Sequence, residues 1–355
     1  MMLKSFFAIL VVFFSAGCFS KSILVAGSVI NQTPPSQHIE NARVVLFAKG
    51  ERIEAEYFAS DGTFSKRLPP DEFAKEHITL FVEHTDFVQV DPERDKIRTG
   101  FSGKTEHHIN VRTKEHLADT LVLSAKKSAL TGDYIKALDQ LDSASAIYQS
   151  FDIYSYKVRL IGDALKTQNT LPIRHMDLTT DGDFLNYTEG LSDRERYKLF
   201  LQLGHVYTNV PDPEKEIDAT TSYFDVAVSA YAVAKKANPA NARPYQGEYK
   251  LYQKTGNHFD AAMVIQSYFD NNAVIKKGST IRTFLGDWLT SFEKVTGFPY
   301  TSREDIAKDT LYYDMAKKLL VTIQQYESIF KHDNKPSSKR IRDATTLLKN
   351  IVERR

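Results

Sequence analysis

"LADTLVLSAKKSALTGDYIKALDQLDSASAIY", residues 117–148, decides the fold of the larger part of this chain. Its apolar residues recur at helical spacing on both sides of a break at Thr131-Gly132-Asp133. A tight turn at that point folds the stretch into two antiparallel helices, with small residues (Ala137 and Ala144 about Leu141) where the two must cross closely. The same periodicity begins after Lys114 and continues to the C-terminus, so residues 114–355 read as one helical region.

Upstream the period drops to two. "SILVAGSVI" (22–30), "ARVVLFA" (42–48), "ERIEAEYFA" (51–59), "HITLFVEH" (77–84), "FVQV" (87–90) and "HHINVRT" (107–113) are short alternating runs separated by turn residues. Spacing of this kind predicts about seven strands in a small antiparallel β-sandwich over residues 22–113. Asp61-Gly62 marks a hairpin turn, Phe64 returns inward after it, and Pro69-Pro70 ends the strand. The fold class expected is therefore multidomain β plus α.

Two resemblances give these regions a context. Val25-x-Gly27-x-Val29, Ala42-x-Val44-x-Leu46, Ser60-Asp61-Gly62-x-Phe64 and Leu68-Pro69-Pro70 occur in that order, and together resemble the carboxypeptidase regulatory-like, or transthyretin-like, β-sandwich. The resemblance implies an accessory, non-catalytic domain plugged by Phe64. Downstream, three sets of positions resemble tetratricopeptide repeats. The first is Gly132-Asp133-Tyr134 with Ala137, Leu141 and Ala144. The second joins Phe200, Leu203-Gly204 and Tyr207 to Ala227, Tyr231, Ala234 and Pro239; the third runs through Ala242, Tyr245, Tyr252, Gly256 and Ala261. Irregular spacing and the segment 166–192 mark the array as degenerate, and the helices after Ser302 as its amphipathic end. The resemblance implies a groove lined by the first helix of each repeat. It places Lys126, Lys198, His205, Arg243, Gln246, Lys250 and Gln253 there. These are cationic or amide donors, which suit an acidic peptide or a terminal carboxylate.

The first twenty residues have signal-peptide order. A basic start at Lys4 precedes the nine apolar residues "FFAILVVFF" and the small residues "SAGC". Cys18, the single cysteine, stands where a bacterial lipoprotein signal places its acylated cysteine. Ala16 and Gly17 match that pattern and Ser15 departs from it. Lipidation at Cys18 would tether the chain to a membrane without a spanning helix, whereas ordinary cleavage would release it. Both outcomes place the protein in an exported, cell-envelope setting. Asn31-Gln32-Thr33 and Asn186-Tyr187-Thr188 are glycosylation sequons, so a eukaryotic secreted protein fits the sequence as well.

Charge and motifs narrow the function. Forty-six Lys and Arg balance 45 Asp and Glu, which argues against a bulk nucleic-acid binder. "GFSGKT" (100–105) lacks the leading glycine of a phosphate loop, because residue 98 is Arg, and a strand-like run follows it. Ser124-x-x-Lys127 and Lys254-Thr255-Gly256 echo two motifs of penicillin-binding enzymes, but no Ser-x-Asn stands between them. His107 and His108 alternate on a strand and point to opposite faces, so with His116 they make a poor metal set. No cofactor and no catalytic residue are expected. The reading is a non-catalytic envelope scaffold for a protein or peptide partner. The alternative is an enzyme or glycan binder with a pocket between sandwich and helices, using Trp288 and "FPY" (298–300) as a stacking platform.

Overall fold

The computed structural model describes residues 22–34, 39–92, 94–100, 103–168, 171–172, 175, 178, 181–217, 221–272, 277–297 and 301–353. The signal-like segment with Cys18, and residues 298–300, lie outside them. Contacts divide the chain into two compact units, one ending at Asp119 and one beginning at Thr120.

The N-terminal unit contains β1 (Ile23–Asn31), β2 (Arg43–Ala48), β3 (Glu51–Glu54), β4 (Glu56–Phe58), β5 (Thr63–Leu68), β6 (His77–Glu83), β7 (Phe87–Gln89), β8 (Lys96–Arg98) and β9 (Gly103–Thr113). One helical turn, α1 (Pro70–Phe73), follows the proline pair. The strands form a five-stranded sheet of order β4-β5-β1-β9-β7 and a four-stranded sheet of order β3-β2-β6-β8. One apolar cluster takes Ile23, Val25, Phe64 and Ile109 from the first and Val44, Leu46, Ile78 and Leu80 from the second. Each sheet thus buries one face against the other. The hairpin at Asp61-Gly62 forms as its residues dictate: Gly62 has φ +71°, and Asp61 accepts hydrogen bonds from the Thr63 amide and hydroxyl at 2.9 and 2.7 Å. Phe64 is 1% exposed.

One pairing departs from the antiparallel expectation. β1 and β9 run parallel, from Ile23 opposite Gly103 to Asn31 opposite Val111. Parallel neighbours need a long crossover, and here the chain supplies it by building the second sheet in between. Gly27 sits opposite His107 in this pair. A Cβ at Gly27 would lie 1.7 Å from the His107 carbonyl oxygen, so no larger residue fits there.

β9 passes straight into α2 (Lys114–Leu130), and the division between units falls inside that helix, six residues after the change of periodicity at 113/114. The helices that follow are α3 (Tyr134–Ile147), α4 (Phe151–Gln168), α5 (Gly182–Glu189), α6 (Asp193–Thr208), α7 (Tyr223–Ala237), α8 (Ala242–Lys254) and α9 (His258–Asn271). They continue with α10 (Gly278–Thr296), α11 (Arg303–Lys308), α12 (Thr310–Gln325), α13 (Glu327–Phe330) and α14 (Pro336–Val352). The same turn is used twice. Thr131-Gly132-Asp133 joins α2 to α3, and Thr255-Gly256-Asn257 joins α8 to α9. In both, glycine takes a left-handed conformation, φ +80° and +76°. The next residue caps the new helix, Asp133 accepting from the Lys136 amide and Asn257 from the Asp260 amide. Reciprocal capping boxes start α6, between Ser192 and Glu195, and α7, between Ser222 and Asp225.

These local signals produce a series of antiparallel helix pairs. Tyr207 stacks on Tyr223, while Tyr231 lies against Gly204, so α6 and α7 run antiparallel. The first helices of successive pairs run parallel. Ser155 meets Gln202 and Gly162 meets Val206, which fixes α4 beside α6. Lys254 reaches the Thr208 carbonyl, fixing α8 beside α6, and Gln253 bonds to Ser291, fixing α10 beside α8. Two apolar clusters fill the unit, one around Leu138, Tyr154, Phe200 and Tyr231, the other around Tyr245, Phe284, Trp288 and Leu319.

Candidate functional site

The parallel helices α4, α6 and α8 wall a cleft of about 430 Å³. Its polar lining includes Arg159 from α4, Lys198, Gln202 and His205 from α6, and Arg243 from α8. Leu165, Leu201, Val206 and Val210 supply the apolar part. The helical repeat explains the convergence: Lys198, Gln202 and His205 are spaced by four and three residues and so share one face of α6.

Electrostatically the cleft is unbalanced. Lys198 and Arg243 are exposed, and neither joins an ion pair with a described residue. Asp163 is the carboxylate on the lining, and Lys166 already lies 3.4 Å from it. His205 is held below the ordinary imidazole value by its burial away from water, then by Lys250 and Arg243, each of which disfavours another positive charge. Tyr197, 9% exposed, carries a hydroxyl with no hydrogen-bond partner among the described residues. Burial pushes its pKa up, and Arg243 partly opposes that shift.

The seven donor positions expected from the sequence do not all meet. Lys198, His205 and Arg243 share the cleft. Lys250 stands close enough to act on His205 on one side and on Asp287 of α10 on the other. Gln246 lies with Arg243 on a neighbouring polar cleft of about 580 Å³, whose far wall is Lys277, Thr280 and Thr283. Lys126 sits over the Tyr156 ring at 5.8 Å, and Arg159 over the same ring at 4.9 Å. Gln253 is spent inside the protein: its Nε2 donates to Ser291 Oγ at 2.8 Å and its Oε1 accepts from Lys294 at 3.0 Å. Arg159, Tyr197 and Tyr156 are not expected from the sequence. Arg159 and Tyr156 lie on α4, which lacks the repeat pattern, and their one available signal is the spacing of Tyr156, Arg159 and Gly162 on a single face; Tyr197 precedes the matched positions of α6.

Trp288 is no stacking platform. It is 1% exposed and stacks on Phe269 at 6.0 Å in the core between α9 and α10, where its indole contributes apolar burial. The histidines of β9 are committed separately. His107 Nε2 lies 2.7 Å from Asp95 Oδ1, while His108 Nδ1 lies 2.8 Å from Ser28 Oγ. Gly103–Thr113 is strand where a phosphate loop would need helix. Asn31 is 9% exposed and its side chain accepts from the Thr33 amide, a poor presentation for glycosylation.

Asp139, Asp142 and His175 bring three possible metal ligands within 4.8 Å of one another. His175 is fully buried, with Nε2 3.1 Å from Asp139 Oδ1 and Nδ1 3.0 Å from Asp142 Oδ2, although neither approach is aligned as a hydrogen bond. Each ring nitrogen thus faces a different carboxylate, so the imidazole bridges the pair instead of offering one nitrogen beside both. Lys157, buried on α4, already lies 2.6 Å from Asp142 and 3.9 Å from Asp181. The cluster is better matched to cationic side chains than to a metal ion. Asp142 is depressed in pKa, burial raising it while His175 and Lys157 together lower it further.

No protein-family model matches the chain, and no curated protein matches it in sequence. Among solved structures, a thermophilic TPR protein of Thermus thermophilus is 16% identical, over 65% of this chain and 99% of that one, with a TM-score of 0.26. The TPR domain of P58(IPK) is 12% identical over 67% of this chain and 66% of that one, TM-score 0.25. A tetratricopeptide repeat protein of Parabacteroides merdae is 13% identical over 66% and 100%, TM-score 0.20. The helical repeat character of residues 120–353 rests on the packing described above. No described helix is long and apolar enough to cross a membrane.

Proposed function

We propose that the protein is a non-catalytic scaffold that holds an acidic segment of a protein partner in the cleft between α4, α6 and α8. The observation that carries this reading is the convergence of Lys198, His205 and Arg243 on one concave surface where the lining carboxylate, Asp163, is already engaged by Lys166. Like charges brought together cost free energy unless an anion joins them, and a partner that supplies carboxylates relieves that cost on binding. The tetratricopeptide-like motif positions support a protein partner, since such helix pairs present their first helices to a groove. The transthyretin-like motif residues around Phe64 and Asp61-Gly62 fit an accessory domain. The signal-like N-terminus and Cys18 fit export and attachment to a membrane by lipid.

The test is capture of partners from solubilised membranes by the parent and by Lys198→Glu/Arg243→Glu. Both side chains are exposed, so the double variant keeps its melting temperature while losing at least about tenfold in capture. Unchanged capture by a folded double variant rules out this groove. For the anchor, Cys18→Ser should move the protein from the membrane fraction to the soluble one; an intact mass showing an N-terminus beyond residue 18 rules out lipidation.

A further inference from the structure

The cleft changes character along its length. Lys198 and Arg243 stand toward the N-terminal ends of α6 and α8, whereas Leu165, Val206 and Val210 gather toward the C-terminal ends of α4 and α6, beside the paired Asp163 and Lys166. There a second, smaller cavity of about 190 Å³ adjoins the first, sharing Leu165 and Val210 and completed by Pro211 and Tyr223, with Asp212 and Lys215 on its rim. Cavities for whole ligands usually measure about 300–1,000 Å³, so this one is scaled to a single side chain. Its walls are fixed. Leu165, Val210 and Tyr223 are 2%, 4% and 2% exposed. Lys254 donates to the carbonyls of Thr208 and Val210, and the Phe224 amide donates to the Pro213 carbonyl at 2.7 Å.

Resting on the reading of this groove as the partner site, we infer that its occupant is an extended peptide with two chemical ends. Its carboxylates meet Lys198 and Arg243, and an aliphatic side chain enters the cavity of Leu165, Val210 and Tyr223. The length follows from the helix. Lys198 lies ten residues before the end of α6 at Thr208, about 15 Å at about 1.5 Å per residue, and Val210 stands just beyond that end. An extended chain covers that distance in about five residues at roughly 3.3–3.6 Å each. Charge selects one end and apolar surface the other, so a purely acidic segment fills half the groove, as does a purely apolar one. An acidic residue and an aliphatic residue about five positions apart satisfy both.

Fluorescence anisotropy of labelled synthetic peptides with the purified full chain tests this. Glu-Glu-Gly-Ser-Gly-Ser-Leu and its reversed sequence are compared first, and the tighter serves as reference. Replacing its leucine by alanine, or deleting three spacer residues, should each weaken binding about tenfold, the effect of one apolar side chain left unburied. Replacing both glutamates by glutamine should weaken it similarly in the parent and strengthen it in Lys198→Glu/Arg243→Glu, where the glutamates face like charge. Pro211→Asp, at an exposed position on the cavity wall, should erase the preference for leucine over alanine while leaving the melting temperature unchanged. Equal affinity for the leucine and alanine peptides overturns the two-ended groove and leaves the anion site standing. So does a leucine preference that survives Pro211→Asp. Failure of every peptide to bind overturns both.

Discussion

Gly247→Ala should destabilise the helical unit, although alanine is the better helix former. Tyr231 of α7 is fully buried, with its ring between two glycines, Gly204 of α6 and Gly247 of α8. A Cβ at Gly247 would lie 2.4 Å from the Tyr231 hydroxyl oxygen and 2.5 Å from Cε1 and Cζ. Ordinary contact requires the ring to retreat by about 1 Å. It has nowhere to go: toward α6, a Cβ built at Gly204 already falls 2.6 Å from Cε1, and the hydroxyl is held by Thr208 at 2.9 Å. Overpacking of this kind costs about 1–3 kcal/mol, and a ring confined on both sides belongs at the upper end. Alanine returns about 0.5–1 kcal/mol through helix propensity, leaving a net loss of about 2 kcal/mol. Gly286 of α10 is the control, since nothing lies within 4 Å of a Cβ placed there. Gly286→Ala should raise stability by about 0.5–1 kcal/mol. In thermal unfolding followed by helical circular dichroism, Gly247→Ala should lower Tm by roughly 4–8 °C and Gly286→Ala should raise it. A Tm for Gly247→Ala at or above the parent's refutes the account of Tyr231 as a wedge between two helices.

Three further outcomes follow from charge. Lys250 and Arg243 add to burial in holding the His205 pKa down, so an acidic peptide that offsets their field should raise it; affinity should therefore rise as pH falls from about 7.5 to 5.5, and His205→Gln should flatten that slope in anisotropy titrations. Asp287 is raised to about 6 by burial, with Lys250 and Arg340 opposing, so its contribution is favourable below its unfolded pKa and is lost as pH rises through 6. Asp287→Asn should then be more stable than the parent at pH 7 by about 1–2 kcal/mol, discounted for partial exposure, with the gap closing near pH 4 in urea titrations. Lys157→Met leaves Asp142 and Asp181 without their buried cation and should cost about 2–3 kcal/mol, a penalty that shrinks as acid protonates the carboxylates; an unchanged urea midpoint at pH 7 would show that the bridge contributes nothing net.

What can be read from the sequence is local. Thr131-Gly132-Asp133 announces its turn because glycine supplies the left-handed residue and aspartate the cap, and Asp61-Gly62 does the same between strands. Strand direction is not readable. The period of two is identical in parallel and antiparallel strands, and Gly27 gains its meaning from His107, eighty residues away. Helix α4 escapes notice as a wall of the cleft because its partner segment, 166–192, lacks the small-residue pattern of the other pairs. Gln253 is misplaced for the opposite reason. It shares a helical face with Arg243 and Lys250, but α10 covers the C-terminal end of that face with Ser291 and Lys294. Periodicity identifies which residues share a face; it does not reveal where a neighbouring helix stops covering it.

The packing that fixes these helices also bears on how the groove binds. Arg243 and Lys250 ride on α8, and Lys198 and His205 on α6. Tyr231 spans the two helices from behind, and Lys254 fastens the end of α8 to the carbonyls after α6. The cations are thus held at set separations before any ligand arrives, and only their side-chain rotamers remain to be ordered. Such a site repels itself when empty: burial first, then Lys250 and Arg243, hold the His205 pKa below the ordinary imidazole value, and the charge repulsion is a free-energy difference that an anion recovers. Rigid spacing converts this general attraction into a preference for carboxylates at one end of the groove, and the fixed wall of Leu165, Val210 and Tyr223 sets the distance at which an apolar side chain must follow. If the α6–α8 wedge is loosened by Gly247→Ala, Arg243 loses its set distance from Lys198 while the spacing from Lys198 to Val210 stays, so affinity for the two-ended peptide and for a purely acidic one should fall by a similar factor in anisotropy titrations.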